Sequence, residues 1–221
     1  MYVSECWYKE VCDGYKENCQ MHCAKFLEMN YLMEHSNIPE SKRKPLQLYP
    51  DNCDIGAFTR LAEIKQDIDD FVYEGRNLYI TSATTGNGKT TWGLKMLMRY
   101  FELCWEGNGF EVRGLFVHVP TLLLKSKDFK TIDREFENMK KQLFDVDLVV
   151  WDDIASTDVT GYDISQLLVY IDARTLADKA NIYTGNIVSA EDMEQAVGSR
   201  LASRILGKST EVIELRGGDR R

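Results

Sequence analysis

Apolar positions along this chain change period from stretch to stretch, and the changes outline a layered α/β protein. Short apolar runs at Leu78–Ile80, Gly114–Val119, Asp147–Asp153, Ala180–Asn186 and Thr210–Leu215 read as buried strands. The segments between them carry apolar residues at helical spacing. Leu94, Leu97 and Met98 mark a helix from Lys89 to about Tyr100, and Leu167, Leu168, Ile171 and Leu176 mark another from Tyr162 to Ala177. Leu122–Lys125 and Ile132–Leu143 read as two short helices. Ahead of the first strand, Phe58, Leu61, Ile64, Ile68 and Phe71 recur every three or four residues, predicting an amphipathic helix over Ala57–Val72. Strands alternating with helices predict a parallel five-stranded sheet flanked by helices.

The first strand leads into Ala83-Thr84-Thr85-Gly86-Asn87-Gly88-Lys89-Thr90, with Thr91 behind it. This is the phosphate-loop pattern G-x-x-x-x-G-K-[ST] at every defined position except the first, where Ala83 stands for Gly. Gly86 and Gly88 allow a sharp turn that aims backbone N–H groups of Thr85, Gly86, Asn87 and Gly88 at phosphate oxygens, and the helix beginning near Lys89 adds its positive end. Lys89 would reach the terminal phosphates of ATP, and Thr90 would hold Mg²⁺. The competing reading is a glycine turn with an accidental Gly-Lys-Thr.

Asp152 and Asp153 end the third strand, where ligands bind in open α/β sheets. Asp152 would enter the Mg²⁺ shell and Asp153 would polarise the attacking water. Many hydrolytic relatives carry Glu at the second position, and Asp153 is one methylene shorter. Asn186 ends the fourth strand, where an amide can orient a water; an Asx turn is the alternative. Arg200 and Arg204, four apart, share a helix face that can reach a phosphate of a neighbouring subunit or pair with acids of its own chain. His118 reads as a satisfied core or edge histidine.

Four of the six cysteines, Cys6, Cys12, Cys19 and Cys23, crowd the N-terminal residues. In a reducing compartment such a cluster points to tetrahedral Zn²⁺, with Cys19 and Cys23 on one face of a helix over about Asn18–Glu34 and His22 as an alternative ligand. The other reading makes them small apolar residues of a helical cap. Cys53 and Cys104 read as packing cysteines. Asn37–Asp51 is polar, holds three of the four prolines and reads as a linker. The predicted division is therefore a cysteine-rich module with linker over residues 1–50 and a larger domain over 51–221.

Composition narrows the setting. A charge of −8 over 221 residues argues against a surface coated for nonspecific DNA binding, so any nucleic-acid contact is local. Lys42–Lys44 and the group Lys125, Lys127, Lys130 are the basic clusters, each equally readable as a solvated face. No apolar run approaches the roughly 20 residues of a membrane helix, and the charged N-terminus does not resemble a signal peptide. A cytoplasmic setting is the expectation.

The order of these motifs resembles an AAA+ ATPase core, and more closely the DnaC/DnaI class of replicative helicase loaders, in particular phage versions. Gly86-Asn-Gly-Lys-Thr-Thr-Trp92, Asp147-Leu-Val-Val-Trp-Asp-Asp153, Tyr183-Thr-Gly-Asn186 and Gly198-Ser-Arg-Leu-Ala-Ser-Arg204 carry the resemblance. It implies an Mg²⁺-dependent ATPase with Asp152 and Asp153 as the Walker B pair and Asn186 as sensor 1. Arg200 would be an arginine finger acting on the next subunit of a homo-oligomer, supported by Arg204, with Arg220 as a sensor 2 arginine. The resemblance further implies a zinc-bearing N-terminal module that docks on a DnaB-type helicase, single-stranded DNA as a second partner, and no helical lid after the last strand. The runner-up is an IstB-type transposition ATPase on duplex DNA, and a third reading is an ATP-gated binding or inhibitor protein with little hydrolysis.

Overall fold

The computed structural model describes residues 6, 12, 16, 23–104, 110–128, 133–155 and 159–219. In chain order these form α1 (Ala24–His35), two 3₁₀ turns (Glu40–Lys42 and Asn52–Asp54), α2 (Ile55–Gln66), α3 (Ile68–Tyr73), β1 (Asn77–Thr81), α4 (Lys89–Leu103), β2 (Gly114–His118), α5 (Val119–Ser126), α6 (Arg134–Asp145), β3 (Leu148–Asp152), α7 (Gly161–Leu176), β4 (Ala180–Gly185), α8 (Ala190–Ile205) and β5 (Thr210–Glu214). The strands form one sheet in the order β2-β3-β4-β1-β5, with every pairing parallel. All their C-terminal ends therefore lie along one edge.

Side chains of successive strand residues leave opposite faces of the sheet, and two separate cores form as a result. Leu78, Ile80, Leu148, Val150, Ala180 and Ile182 pack in one core with α1 to α4. Their neighbours Tyr79, Val149, Trp151 and Tyr183 pack in the other, with α5 to α8. Both faces are covered, which is why the strands read as continuous apolar runs rather than as alternating ones. The exposed edge of β2 is partly closed by the chain after α1: Phe116 N–H donates to Ser36 O at 2.8 Å, and Asn37 Nδ2 donates to Phe116 O at 2.9 Å.

Side-chain caps fix where the later helices begin. Asp133 accepts from Phe136 N–H ahead of α6, Ser189 accepts from Asp192 N–H ahead of α8, and Thr160 and Asp163 form a reciprocal capping box at α7. Gly198, with φ of 77°, interrupts α8, so Arg200 and Arg204 lie together on its second segment.

At the end of the sheet opposite the phosphate loop, Arg174 is fully buried. Its guanidinium donates to Asn181 Oδ1 (2.7 Å) and to the carbonyls of Leu143, Val146, Asp147 and Ala180. Burial pulls its pKa down to about 10. Asn181 also receives Trp151 Nε1 and donates to Asn77 Oδ1, so one polar network ties α7 to β1, β3 and β4.

The structure corrects three sequence expectations. The helix over 57–72 is two helices that meet at Asp67, whose φ of −97° and ψ of 27° turn the chain while the apolar positions stay on one side. Asn37–Asp51 is not a free linker: Lys95 Nζ donates to Leu46 O at 2.9 Å, and Leu48 packs against the core. Cys53 is exposed rather than packed, whereas Cys104 is buried, and burial pushes its thiol up to about 12. Phe26, Met29, Leu32 and Met33 of α1 belong to the same core as α2 to α4.

Candidate nucleotide-binding site

The loop from Ser82 to Gly88 turns back over the end of β1. Gly86 and Gly88 both have left-handed φ values, 75° and 104°. At Gly88 a Cβ would lie 2.6 Å from the Leu48 side chain, so a larger residue meets both backbone strain and a close contact. Ala83 is exposed and is not among the residues with positive φ, so the first position of the loop has no need of glycine here. The departure from the consensus is thereby accounted for. Gly88 caps α4 without a side-chain hydrogen bond, leaving the first N–H groups of α4 without a side-chain acceptor, as an anion site requires.

Lys89 is buried, and its ammonium donates to Thr84 O (2.8 Å) and Asn87 Oδ1 (3.2 Å) inside the loop. Burial lowers its pKa, and the charges of Asp153 and Asp152 act against that shift, which puts the two acids within electrostatic reach of the lysine. Asn87 Nδ2 donates to Ser82 Oγ and, more weakly, to Leu215 O, while Thr84 Oγ1 donates to Gly217 O at 3.1 Å. The buried Asp54 carboxylate receives Arg216 N–H and Gly217 N–H at 2.7 and 3.0 Å, and Asp51 receives Gly218 N–H. The chain after β5 is thus fastened to the phosphate loop on one side and to the start of α2 on the other.

Asp152 ends β3 with 3% of its surface exposed. Burial raises its carboxyl pKa, opposed by hydrogen bonds from the Thr184 and Thr90 side chains, and the charge of Asp153 adds to the rise. The Thr90 hydroxyl and the Asp152 carboxylate therefore meet, and this oxygen-only pair with a neighbouring acid suits Mg²⁺. Asp153 follows with a left-handed φ of 58°, and its N–H donates to Thr184 Oγ1 at 3.1 Å. Asn186, just past β4, has a buried Oδ1 without a hydrogen-bond partner.

Two residues of the site escaped the sequence reading. Thr184 links the two acids, and His118 lies directly beside Asp152 in the strand register. His118 Nδ1 bonds Thr121 Oγ1 at 2.8 Å, and Nε2 lies 3.6 Å from Asp153 Oδ2. It is a satisfied histidine of the edge strand, half-exposed and beside the acids. Neither has a local signature, because each reaches the acids only through strand pairing.

Other predicted site residues lie apart. Arg200 Nη2 and Arg204 Nε both pair with Asp172 of α7, at 2.7 and 2.5 Å, and no hydrogen bond or ion pair joins either to the loop or to Asp152 and Asp153. Thr85 is exposed and Thr91 half-buried on the loop side of α4. Lys125 pairs with Asp133 and Lys127 with Asp163. Arg220, Lys130, Cys19 and His22 lie outside the described residues. Cys6 is buried in the α1 core and Cys23 packs against it, whereas Cys12 is exposed. Among the described residues, the one group of three potential metal ligands is His118, Asp152 and Asp153, which contains no cysteine.

A five-stranded parallel sheet in this order, with a phosphate loop after β1 and paired acids after β3, is a P-loop α/β fold. Within that class the chain is similar in structure to the DnaC helicase loader, with a TM-score of 0.61 and 20% identity over 76% of this chain and 93% of that one. It is also similar to DnaI, with a TM-score of 0.57 and 19% identity over 86% of this chain and 93% of that one. A replication initiator DnaA bound to AMPPCP and single-stranded DNA matches with a TM-score of 0.55 and 16% identity, over 76% of this chain and 48% of that one. No protein-family model matches the sequence, and comparison with curated proteins finds no match. No helix of the described residues is long and apolar enough to cross a membrane.

Proposed function

We propose that this chain is an ATP-dependent loader that binds a DnaB-type replicative helicase and helps place it on single-stranded DNA. The observation that carries the reading is the meeting of Thr90, Lys89, Asp152 and Asp153 at one end of the sheet, in a fold similar to two helicase loaders along nearly their whole length.

In this reading Lys89 releases Thr84 and Asn87 and takes the terminal phosphates, whose charge replaces the carbonyl contacts it now makes. Thr90 and Asp152 would hold Mg²⁺, which would supply positive charge against the charge developing on the phosphates. Asp153 accepts the proton of the attacking water, and Asn186, whose Oδ1 has no partner within the chain, turns to orient that water. Arg200 completes the site of the next subunit in a homo-oligomer, which requires it to leave Asp172, and Arg204 supports it. Arg220 contacts the nucleotide from the chain end. Residues 1–50 form the helicase-docking module, with Cys6, Cys12, Cys19 and Cys23 as Zn²⁺ ligands.

A second reading, a nucleotide-gated binding protein with little hydrolysis, is favoured by one observation. Asp153 leans on His118 from a strained backbone conformation rather than standing free for water. Phosphate release from ATP, measured alone and with single-stranded DNA and a DnaB-type hexamer, separates the two. Stimulated turnover supports the loader; tight ATP binding without turnover supports the gated binder.

A further inference from the structure

His118 has no place in the ATP chemistry described above, yet it is built into the end of the sheet as a ligand would be. In the register of the two parallel strands it stands opposite Asp152, and Asp153 follows in the next position. The imidazole and the two carboxylates each present one ligand atom, and these atoms all lie within 4.8 Å of one another. One ion at their centre can therefore reach all three after small rotations of the side chains. We propose that His118, Asp152 and Asp153 form a binding site for a divalent first-row transition ion such as Mn²⁺, Fe²⁺ or Zn²⁺, occupied in the absence of nucleotide.

The supporting contacts are those that orient metal ligands. His118 Nδ1 is engaged by Thr121 Oγ1, which leaves Nε2 directed at the acids. Asp152 Oδ1 receives the Thr184 hydroxyl at 2.7 Å, and the same oxygen of Thr184 receives Asp153 N–H. Hydroxyls thus steady the His118 imidazole and the Asp152 carboxylate, and Thr184 also fixes the backbone of Asp153. The donor set distinguishes this site from one for Mg²⁺, which selects oxygen ligands, because an imidazole nitrogen favours ions later in the first row. An ion held there keeps the paired acids together and Asp153 engaged while the phosphate loop is empty. The proposal is independent of the loader reading, since no nucleotide or partner takes part.

The test uses the metal-stripped full-length chain without nucleotide, titrated with Mn²⁺ and followed by the EPR signal of the free ion. Mn²⁺ is chosen because thiolate sites select softer ions, so the cysteines do not compete. The site predicts one bound Mn²⁺ per chain, with a nitrogen coupling in the pulsed EPR spectrum and incomplete displacement by excess Mg²⁺. In His118→Ala the nitrogen coupling disappears and affinity falls by about 10-fold or more, at least the loss expected when even a supporting partner of a metal ligand is removed. His118→Gln behaves the same way. The His118 side chain is 43% exposed, so both variants are expected to fold, and a thermal melt checks this. Absence of Mn²⁺ binding by the wild-type chain, or equal affinity in folded His118→Ala, overturns the proposal.

Discussion

Thr184 Oγ1 donates a 2.7 Å hydrogen bond to Asp152 Oδ1, and the same oxygen accepts Asp153 N–H at 3.1 Å. One hydroxyl on β4 therefore sets the position of both acids on β3. Thr184→Val keeps the shape and removes the hydroxyl, leaving Asp153 N–H without its acceptor and Asp152 with the Thr90 hydroxyl as its remaining side-chain donor. The expected loss is about 1–3 kcal/mol of stability, with a fall in nucleotide turnover, and Thr184→Ser restores most of both. Chemical denaturation and phosphate release check it.

Asp152 carries the opposite cost. Burial raises its folded-state pKa above the unfolded value, against the hydrogen bonds from Thr184 and Thr90. An acid with a raised folded pKa disfavours folding at every pH above that value, and the penalty fades as pH falls toward its unfolded value near ~3.9. Asp152→Asn is therefore expected to melt above the wild type at pH 7 in the absence of ligands, with the gap narrowing toward ~pH 4. A lower melting temperature at pH 7 would mean that the carboxylate stabilises the empty site.

Arg200 and Arg204 share Asp172, with 71% and 41% of their side chains exposed. Pairs this exposed contribute at most about 1 kcal/mol, so Arg200→Ala and Arg204→Ala are expected to melt near the wild type. A finger acting in trans predicts that Arg200→Ala keeps ATP binding and loses DNA-stimulated turnover. Undiminished turnover in that variant removes Arg200 from the mechanism.

Arg174 differs from these surface arginines because no carboxylate shares its burial and its donors all end on carbonyl oxygens. Arg174→Met would take a shared donor from four backbone carbonyls, of which Asp147 O keeps the Ala180 N–H, and a loss of about 3 kcal/mol or more is expected. Arg174→Lys does not rescue it, since a single ammonium cannot span the fork of acceptors. Urea denaturation of both variants measures the difference.

Features that depend on neighbours in sequence were legible there. The strands, the helix after Lys89 and the paired acids follow from period and local pattern, and their order along the chain already implied the parallel sheet. Features that depend on register were hidden. His118 and Thr184 join the acids only because β2 and β4 flank β3, and Leu48 meets Gly88 only because the stretch after α1 folds back over the loop. Ala83 looked like a defect because the consensus records a residue type, whereas the backbone angle that would demand glycine is absent at that position. Asp172 as the common partner of both arginines had no signature, since it lies 28 residues from Arg200 on another helix.

The central claim is that ATP bound at Lys89 allows the chain to hold a replicative helicase. Co-elution of the purified chain with a DnaB-type hexamer, with and without ATP, tests it most directly. The account predicts a complex with ATP that is lost in Lys89→Ala. Absence of a complex, or one that forms equally in Lys89→Ala and without ATP, contradicts it.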